Sequence, residues 1–405
     1  MTVHVLTGND AAATAVKLAR TQVIAAYPIT PQSPVVEQLS KWVETGELPA
    51  EFVAVESEHS ALTVCIGAST VGARAFTATS ANGLAYMTEQ VWWAAGARLP
   101  IVMCVANRAM AAPWNVLNDQ QDSMSVRDAG WVQLYCRDNQ EILDTTVQAF
   151  RIAERLNVPV MVCYDGFLLS HTMMPVDVPD ADVVDAFLPP RTDPLQIVDV
   201  NDPRNVGPVA LADPRPDAEG VLQPGYMELR AMHHAALLEA LEAVPDVDAA
   251  WATATGRSWG GLLSEYLLDD AEVVLVAAGS LVTQLTLVAE TLRAEGVRAG
   301  VLGVRCYRPF PVAALRERLA GRTLALVFDK ALSYGYEGPI AADLKAAVQP
   351  LVDAPAVFGA VCGLGGRDVS PEHLAAATRD ALADVAAGVR DRATAWIALA
   401  EGSMR

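Results

Sequence analysis

Short apolar runs that alternate with helical segments constrain the fold of this sequence more than any other feature. In the first half of the chain, six runs have the composition of buried strands: Val23–Tyr27, Phe52–Val55, Ala73–Thr79, Ile101–Ala106, Trp131–Cys136 and Val158–Tyr164. Helical segments or loops separate them, and this alternation is typical of parallel strands. The pattern therefore predicts a doubly wound α/β fold, with helices on both faces of a parallel sheet.

A second and smaller α/β unit is predicted towards the C-terminus. Four further runs have strand character: Val273–Ala277, Ala299–Val304, Leu324–Phe328 and Val357–Val361. Prolines recur between residues 175 and 224 and indicate an extended connector. A helix from about Tyr226 to Ala243 follows, and we expect its His233 and His234 at the surface. We therefore divide the chain into a first domain (1–170), a connector with a helix (171–254) and a second domain (255–405).

Size and charge restrict the class of protein. A chain of 405 residues with 52% hydrophobic and 19% charged residues is globular and too long for one ordinary core. Its formal net charge of −19 argues against nucleic acid or an anionic membrane surface as a partner. No apolar run is long and uninterrupted enough to span a bilayer, and the N-terminus lacks the pattern of a signal peptide. We therefore expect a cytoplasmic protein.

Several catalytic motifs are absent from the sequence. It contains no GxGxxG after the first strand, no GxxxxGK[ST], no GxSxG and no HExxH, so the corresponding nicotinamide, P-loop, hydrolase and zinc-protease signatures are not supported. The six cysteines are far apart and form no CxxC. A metal site or an iron–sulfur cluster held by this chain alone is therefore not predicted.

The turns that follow the predicted strands indicate one candidate site. They are Pro28–Pro31, Ser57–Glu58, Ser80–Gly83 and Asn107–Arg108. Because parallel strands present their carboxyl ends at one edge of a sheet, these turns should converge, and ligands bind at such edges. Ser57 can cap a helix whose first turn contains Glu58. Taken alone, this carboxylate is more typical of an acid that complements a helix dipole than of a catalytic group.

Many short motifs are similar, in order, to those of the alpha subunit of pyruvate:ferredoxin oxidoreductase. In the first half they are AYPITPQ (26–32), ESEHSA (56–61), TATSANGL (77–84), LPIV (99–102), NRA (107–109), RDAGW (127–131), NQE (139–141) and DGF (165–167). In the second half they are TGR (255–257), YRPFP (307–311) and GLGGRD (363–368). Each motif is modest alone, but the ordered set covers nearly the whole chain and is specific.

The resemblance implies an enzyme that uses thiamine diphosphate, coenzyme A and iron–sulfur clusters. Such enzymes convert a 2-oxoacid into an acyl-CoA and carbon dioxide, and electrons leave through ferredoxin. The motif match places Glu58 at N1′ of the cofactor's aminopyrimidine, where it would favour the imino tautomer that removes the proton from thiazolium C2. Glu56 is the rival carboxylate. Ile29, Ser80 and Asn82 are predicted to contact the same cofactor.

Two further residues are matched with substrate contacts. Thr30 corresponds to a threonine that contacts the oxygens of the substrate. Arg108 corresponds to an arginine that holds the 2-oxoacid carboxylate, a task that suits the guanidinium fork. Without the resemblance, a turn-capping hydroxyl and a salt-bridged arginine would be the more ordinary roles.

The sequence departs from the family pattern in two places. The GDG diphosphate signature of thiamine enzymes is missing, since Asp165-Gly166 follows Tyr164. Mg²⁺ and the diphosphate should therefore be held by another chain. In the loop after Arg108, relatives often carry a histidine where this chain has Gln120, which cannot exchange a proton. Asn118, Asp119 and Gln120 are therefore predicted only as possible contacts.

The resemblance also implies partners. A beta subunit would carry the diphosphate-binding domain, gamma and ferredoxin-like delta subunits would complete the complex, and ferredoxin would accept the electrons. The second domain resembles the transketolase C-terminal domain. Pyruvate is the preferred substrate and 3-methyl-2-oxobutanoate is next. A non-oxidative thiamine-dependent decarboxylase or ligase, and a scaffold subunit without catalytic activity, are the alternatives.

Overall fold

The computed structural model of the protein describes residues 2–191, 212–217 and 220–400. Its strands are β1 (Thr2–Leu6), β2 (Val23–Ala26), β3 (Glu51–Ala54), β4 (Ala75–Thr79), β5 (Val102–Asn107), β6 (Val132–Tyr135), β7 (Val160–Asp165), β8 (Met174–Val178), β9 (Arg215–Pro216), β10 (Leu222–Gln223), β11 (Leu263–Tyr266), β12 (Val273–Ala277), β13 (Ala299–Val304), β14 (Cys306–Arg308), β15 (Leu324–Asp329), β16 (Ala356–Val361) and β17 (Ala395–Trp396). Its helices are α1 (Gly8–Leu18), α2 (Ser33–Glu44), α3 (Glu58–Thr70), α4 (Ala81–Tyr86), α5 (Thr88–Gly96), α6 (Gln121–Ser125), α7 (Asn139–Leu156), α8 (Ala181–Phe187), α9 (Tyr226–Thr255), α10 (Leu281–Ala294), α11 (Val312–Leu319), α12 (Pro339–Val348) and α13 (Pro371–Ala386), with one 3₁₀ turn at Leu364–Gly366.

The larger sheet has seven strands in the order β14-β6-β7-β5-β4-β2-β3. All of its pairs are parallel except β14–β6 at one edge. One face is covered by α1, α7 and α9, and the other by α3 and α5. Every residue of β4, β5 and β7 is buried, as expected for strands that helices cover on both faces. The predicted doubly wound parallel sheet is confirmed.

The smaller sheet is built by the second half of the chain, in the order β11-β13-β12-β15-β16-β17. Its central pairs are parallel, and only β11 at the edge is antiparallel to its neighbour. The four runs predicted as strands correspond to β12, β13, β15 and β16. The prediction of a second α/β unit is therefore confirmed.

The two sheets are joined where the chain leaves β13. After one residue, Arg305, strand β14 pairs with β6 of the larger sheet. The Arg305 guanidinium is buried and donates hydrogen bonds to Glu141 Oε1 at 2.9 Å, to Gln148 Oε1 at 2.9 Å and to the Gly261 carbonyl at 2.8 Å. Burial raises the pKa of Glu141 to about 7, while the charge of Arg305 acts in the opposite direction. A buried ion pair thus lies at the junction of the two domains.

The helix after the connector differs from its prediction. α9 does not end near Ala243 but continues through Pro245 to Thr255. Proline weakens a helix because it removes one hydrogen bond, and here the packing of Val244, Val247 and Trp251 in the core supports the helix. The expectation for His233 was wrong. It is buried, and its Nε2 lies 2.9 Å from the carbonyl of Gly130, because α9 packs on that turn.

Some features were not predicted at all. β1 and β8 form a separate antiparallel pair, although they are more than 160 residues apart in sequence. Residues 192–211 and 218–219 of the predicted connector lie outside the described residues. In the part of the chain that the structure describes, we find no helix long and apolar enough to cross a membrane.

Replacing Arg305 with Met should lower the free energy of unfolding by about 3–5 kcal/mol, because Glu141 would stay buried without its counter-charge. Thermal and denaturant unfolding of the purified protein measure this loss. The double variant R305M/E141Q should recover part of it. Arg298→Met is the matched control, since its pair with Glu272 is more than half exposed and should contribute little. Equal losses for the two single arginine variants would contradict this account.

Candidate active site

The carboxyl ends of β2, β3, β4 and β5 meet at one edge of the larger sheet, as their parallel pairing requires. The turns after these strands carry Thr30, Glu58, Ser80 and Arg108. The structure therefore brings the four predicted turns together. Open parallel sheets bind ligands at this edge, so it is the candidate active site.

Glu58 is the first residue of α3. Ser57 caps this helix, because its backbone is extended and its Oγ accepts a hydrogen bond from the Ser60 amide at 3.2 Å. The Glu58 side chain is directed into the protein, and the residue is only 8% exposed. Among the described residues, none donates a hydrogen bond to its carboxylate or forms an ion pair with it. The residue is largely buried, yet its carboxylate oxygens keep some exposure, so a ligand at the sheet edge can reach them.

The rival carboxylate, Glu56, has different surroundings. It is exposed and accepts a hydrogen bond from the hydroxyl of Ser60. This hydrogen bond lowers the pKa of Glu56 and keeps it ionised. Of the two acids, only Glu58 is buried at the sheet edge.

Gly83 lets α4 approach Glu58 closely. A Cβ atom at this position would lie 2.8 Å from Oε1 and from Cγ of Glu58, and 2.5 Å from Oγ1 of Thr79. Real Cβ atoms do not approach other heavy atoms this closely, so a larger residue would displace the carboxylate. The glycine of the SANG turn therefore fixes where the Glu58 carboxylate can lie.

Ser80 and Asn82 connect neighbouring turns rather than standing free. Ser80 Oγ donates a hydrogen bond to the Ala106 carbonyl at 2.7 Å, and Asn82 Oδ1 accepts one from the Ala111 amide at 3.0 Å. Between them, Ala81 has a φ of +43°, which is uncommon for a residue other than glycine. The turn is thus held in a strained conformation beside Glu58.

Arg108 extends from the end of β5 across the site. Its Nη1 donates a hydrogen bond to the Thr30 carbonyl at 2.8 Å, and its guanidinium lies 5.4 Å from the ring centre of Trp114. Its Nε is buried and has no hydrogen-bond partner among the described residues. Burial lowers the pKa of Arg108, whereas the carboxylates of Asp122 and Glu58 act in the opposite direction. A guanidinium that neighbouring groups hold in place can bind the carboxylate of a ligand.

Thr30 and Ile29 belong to the turn after β2, whose Thr30 carbonyl accepts the hydrogen bond from Arg108. Thr30 is exposed and Ile29 is half-buried. The Ile29 carbonyl accepts hydrogen bonds from the amides of Gln32 and Ser33 at 2.9 and 3.2 Å and so leads the chain into α2. The Thr30 hydroxyl is therefore at the entrance of the site rather than in its interior.

Asn118, Asp119 and Gln120 are directed towards the second domain. The Asn118 carbonyl accepts a hydrogen bond from the Gly366 amide at 2.7 Å, and Asp119 Oδ2 accepts one from the Gly365 amide at 3.1 Å. Gln120 Nε2 donates to the carbonyl of Ala278 at 3.2 Å. The side chains of Asp119 and Gln120 and the backbone of Asn118 thus join the domains.

A cavity of about 550 Å³ lies at this junction, and part of its lining consists of Asn118, Ser280, Lys330 and Gly366. Neither Glu58 nor Arg108 lines it. Its buried cation, Lys330, is already paired with Asp165 at 3.2 Å. The cavity is therefore separate from the candidate active site at the sheet edge.

Asp122, which lies beneath the site on α6, is a further acid that the sequence did not predict. It is fully buried, and burial raises its pKa to about 7, against the effect of its hydrogen bonds from Asn107, Ala81 and Arg108. A helix of five residues has no readable periodicity, so no sequence signal identified this acid. Within the described residues, no group of three or more His, Cys, Asp or Glu could hold a metal ion, and the six cysteines are free and buried.

Two solved structures share this fold. One is the 2-oxoglutarate:ferredoxin oxidoreductase from Magnetococcus marinus, solved with 2-oxoglutarate, coenzyme A and succinyl-CoA bound, with a TM-score of 0.68 and 18% identity. The match covers 93% of this chain and 65% of that longer chain. The other is a split-gene transketolase, an inactive beta4 tetramer, with a TM-score of 0.52 and 15% identity over 93% of this chain and 98% of that chain. At these identities the likeness concerns the fold alone, and it agrees with two α/β units in one chain.

Family and sequence comparisons are more specific. Residues 14–236 match the family described as pyruvate flavodoxin/ferredoxin oxidoreductase, thiamine diphosphate-binding, and residues 271–374 match pyruvate:ferredoxin oxidoreductase core domain II. The pyruvate synthase subunit PorA of Methanocaldococcus jannaschii is 42% identical over 98% of both chains. The ketoisovalerate oxidoreductase subunit VorA of Pyrococcus abyssi is 42% identical over 97% of this chain and 96% of its own.

These matches define the class as the 2-oxoacid oxidoreductases built from several subunits. The chain belongs to the pyruvate:ferredoxin oxidoreductase family, as its alpha subunit. The resemblance seen in the ordered motifs is confirmed. The roles of the individual site residues stay predictions.

Replacing Gly83 with Ala should abolish most turnover of the assembled oxidoreductase, because the added methyl would displace the Glu58 carboxylate. Steady-state activity of the purified complex measures this effect. Gly67→Ala in α3 is the control, since its new methyl would have no heavy atom within 4 Å, and alanine favours a helix. Full activity of the Gly83 variant would refute the close contact.

Proposed function

We propose that this chain is the alpha subunit of an oxidoreductase that converts pyruvate and coenzyme A into acetyl-CoA and carbon dioxide and passes electrons to ferredoxin. The single observation that carries the proposal is the buried Glu58 carboxylate, which has no partner among the described residues. Family membership and the full-length similarity to pyruvate synthase subunits support it.

The residues around Glu58 fit the aminopyrimidine ring of thiamine diphosphate. A buried carboxylate without a partner can share a proton with a ring nitrogen, and Gly83 leaves the carboxylate in place. When bound, the cofactor supplies the carbanion chemistry of the decarboxylation. Glu58 holds the proton at N1′, which is a general acid–base role. Ile29, Ser80 and Asn82 are its proposed neighbours in the wall of the site.

Arg108 would bind the carboxylate of the 2-oxoacid. Its fork is oriented by the Thr30 carbonyl and by Trp114. Two parallel N–H donors suit a carboxylate better than a point charge does. The Thr30 hydroxyl, at the entrance, is proposed to contact the same substrate. Asn118, Asp119 and Gln120 are proposed as contacts at most, since their polar groups bind the second domain.

The remaining chemistry is assigned to partner chains. This chain has no diphosphate signature, and its described residues offer no cluster for a metal ion. We infer that a beta subunit holds the diphosphate and Mg²⁺. Gamma and delta subunits complete the complex and contain the iron–sulfur clusters, which pass the electrons to ferredoxin. On this basis residues 1–170 form half of the thiamine site, 171–254 connect the domains, and 255–405 form a transketolase-type domain. We propose a cytoplasmic location, since the family acts with ferredoxin.

A branched 2-oxoacid is the second candidate substrate. The observation that favours it is the similarity to ketoisovalerate oxidoreductase subunits. The subunit from Pyrococcus abyssi is 42% identical to this chain, as is the pyruvate synthase subunit from Methanocaldococcus jannaschii. The substrate is 3-methyl-2-oxobutanoate in that case. The reaction and the role of Glu58 would be unchanged.

The test uses the complex isolated anaerobically through a tag on this chain. Viologen reduction is followed with pyruvate and then with 3-methyl-2-oxobutanoate, each with and without coenzyme A. Reduction that depends on coenzyme A supports the proposal, and the acid with the larger kcat/KM is the substrate. No reduction by a complex with bound thiamine diphosphate would favour a non-oxidative enzyme or a scaffold subunit instead.

Replacing Glu58 with Gln should lower kcat of the complex by about 100- to 10,000-fold, because an amide cannot exchange the proton at N1′. Viologen reduction measures kcat, and the thiamine diphosphate content of the complex shows whether the variant still assembles. Glu56→Gln is the matched control, as an acid two residues away that is exposed. Turnover that survives in the Glu58 variant would sink the catalytic role and favour the scaffold alternative.

A further inference from the structure

Asp122 connects the two turns that carry the proposed cofactor and substrate contacts. Its Oδ2 accepts hydrogen bonds from the amide of Ala81 at 2.8 Å and from the amide of Arg108 at 3.1 Å. Its Oδ1 accepts from Asn107 Nδ2 at 2.6 Å and from the amide of Ser123 at 2.8 Å. One carboxylate thus binds the end of β5, the start of α4 and its own helix.

The two bonds to Oδ2 determine the position of different groups. The Ala81 amide belongs to the turn with positive φ between Ser80 and Asn82, and a conformation of this kind persists only where the surroundings hold it. The Arg108 amide fixes the backbone from which the guanidinium extends to the Thr30 carbonyl. Because one oxygen serves both amides, a shift of either turn would be transmitted to the other.

An electrostatic interaction also links Asp122 to Arg108. Asp122 is fully buried, so its charge interacts with its neighbours in a medium of low dielectric constant. Its carboxylate is among the groups that favour the charged form of Arg108. Among the described residues, no hydrogen bond joins Asp122 to Glu58, the proposed acid–base residue. Asp122 is therefore not placed to take part in the proton transfer itself.

We propose that Asp122 is a positioning residue that holds the Ala81 turn and Arg108 in one fixed relation, so that the guanidinium is prepared for the 2-oxoacid carboxylate. This inference rests on the proposed function of Arg108. It does not require Asp122 to touch substrate or cofactor. An arginine that is already oriented binds its ligand without a further ordering cost.

Asp122→Asn in the assembled complex tests the proposal. The variant keeps one acceptor oxygen, but its NH₂ group faces donors, so at least one pair of hydrogen bonds is lost. We expect KM for the 2-oxoacid to rise at least about tenfold with a smaller change in kcat, since a uniform binding interaction is weakened. We also expect amide hydrogen exchange at residues 81 and 108 to accelerate at least about tenfold in the complex without substrate, measured by mass spectrometry.

Asp248→Asn is the matched control. This buried carboxylate accepts four donors as well, from Gln148, Ser258, Trp259 and Gly261, but it lies on α9, away from the site. It should lower thermal stability like the Asp122 variant and leave KM and the exchange at residues 81 and 108 unchanged. Equal KM changes in both variants, or unchanged exchange at 81 and 108 in the Asp122 variant, would overturn the proposal.

The exchange measurement separates this inference from the proposed function. If the wild-type complex reduces no acceptor with any 2-oxoacid, the proposed function fails, while faster exchange at both turns would still support the positioning role. If the wild-type complex is active and the exchange is unaffected by the substitution, the positioning role fails alone.

Discussion

The parallel pairing of β2, β3, β4 and β5 is the constraint on which the candidate site depends. It brings the turns after these strands to one edge, so that Glu58 and Arg108 share a site although 50 residues separate them in the sequence. Because helices cover both faces of the sheet, this edge is shielded from solvent at its base. Charges act more strongly on each other there than at the surface. The fold therefore supplies both the convergence of the groups and the environment in which they act.

Hydrogen bonds from the second domain hold the loop that follows the candidate site. The loop that begins at Arg108 is fastened by hydrogen bonds from the amides of Gly365 and Gly366 to Asp119 and to the carbonyl of Asn118. Both glycines have positive φ, which lets two successive amides approach the loop. The GLGGRD motif is thus explained by backbone geometry.

Most of the architecture could be predicted because buried parallel strands are apolar throughout, as in Ile101–Ala106, and a cap such as Ser57 marks a helix start. The turns that follow the predicted strands indicated where the candidate site lies. What could not be predicted depends on contacts that are distant in sequence. β14 leaves its own domain to pair with β6, and His233 is buried only because α9 packs on Gly130. The role of Asp122 likewise arises from backbone amides, which carry no sequence signal.

Several buried polar atoms without hydrogen-bond partners lie close together at the candidate site. Nε of Arg108, Oγ1 of Thr79 and Oδ1 of Asn107 are buried at the same edge without hydrogen-bond partners among the described residues, and the Glu58 carboxylate lies beside them. Each such group costs about 1–3 kcal/mol when it stays unpaired. A chain that retains several of them at one place is less stable than it could be. The candidate site therefore lies where the fold gives up some stability, a trade-off that is common at functional sites.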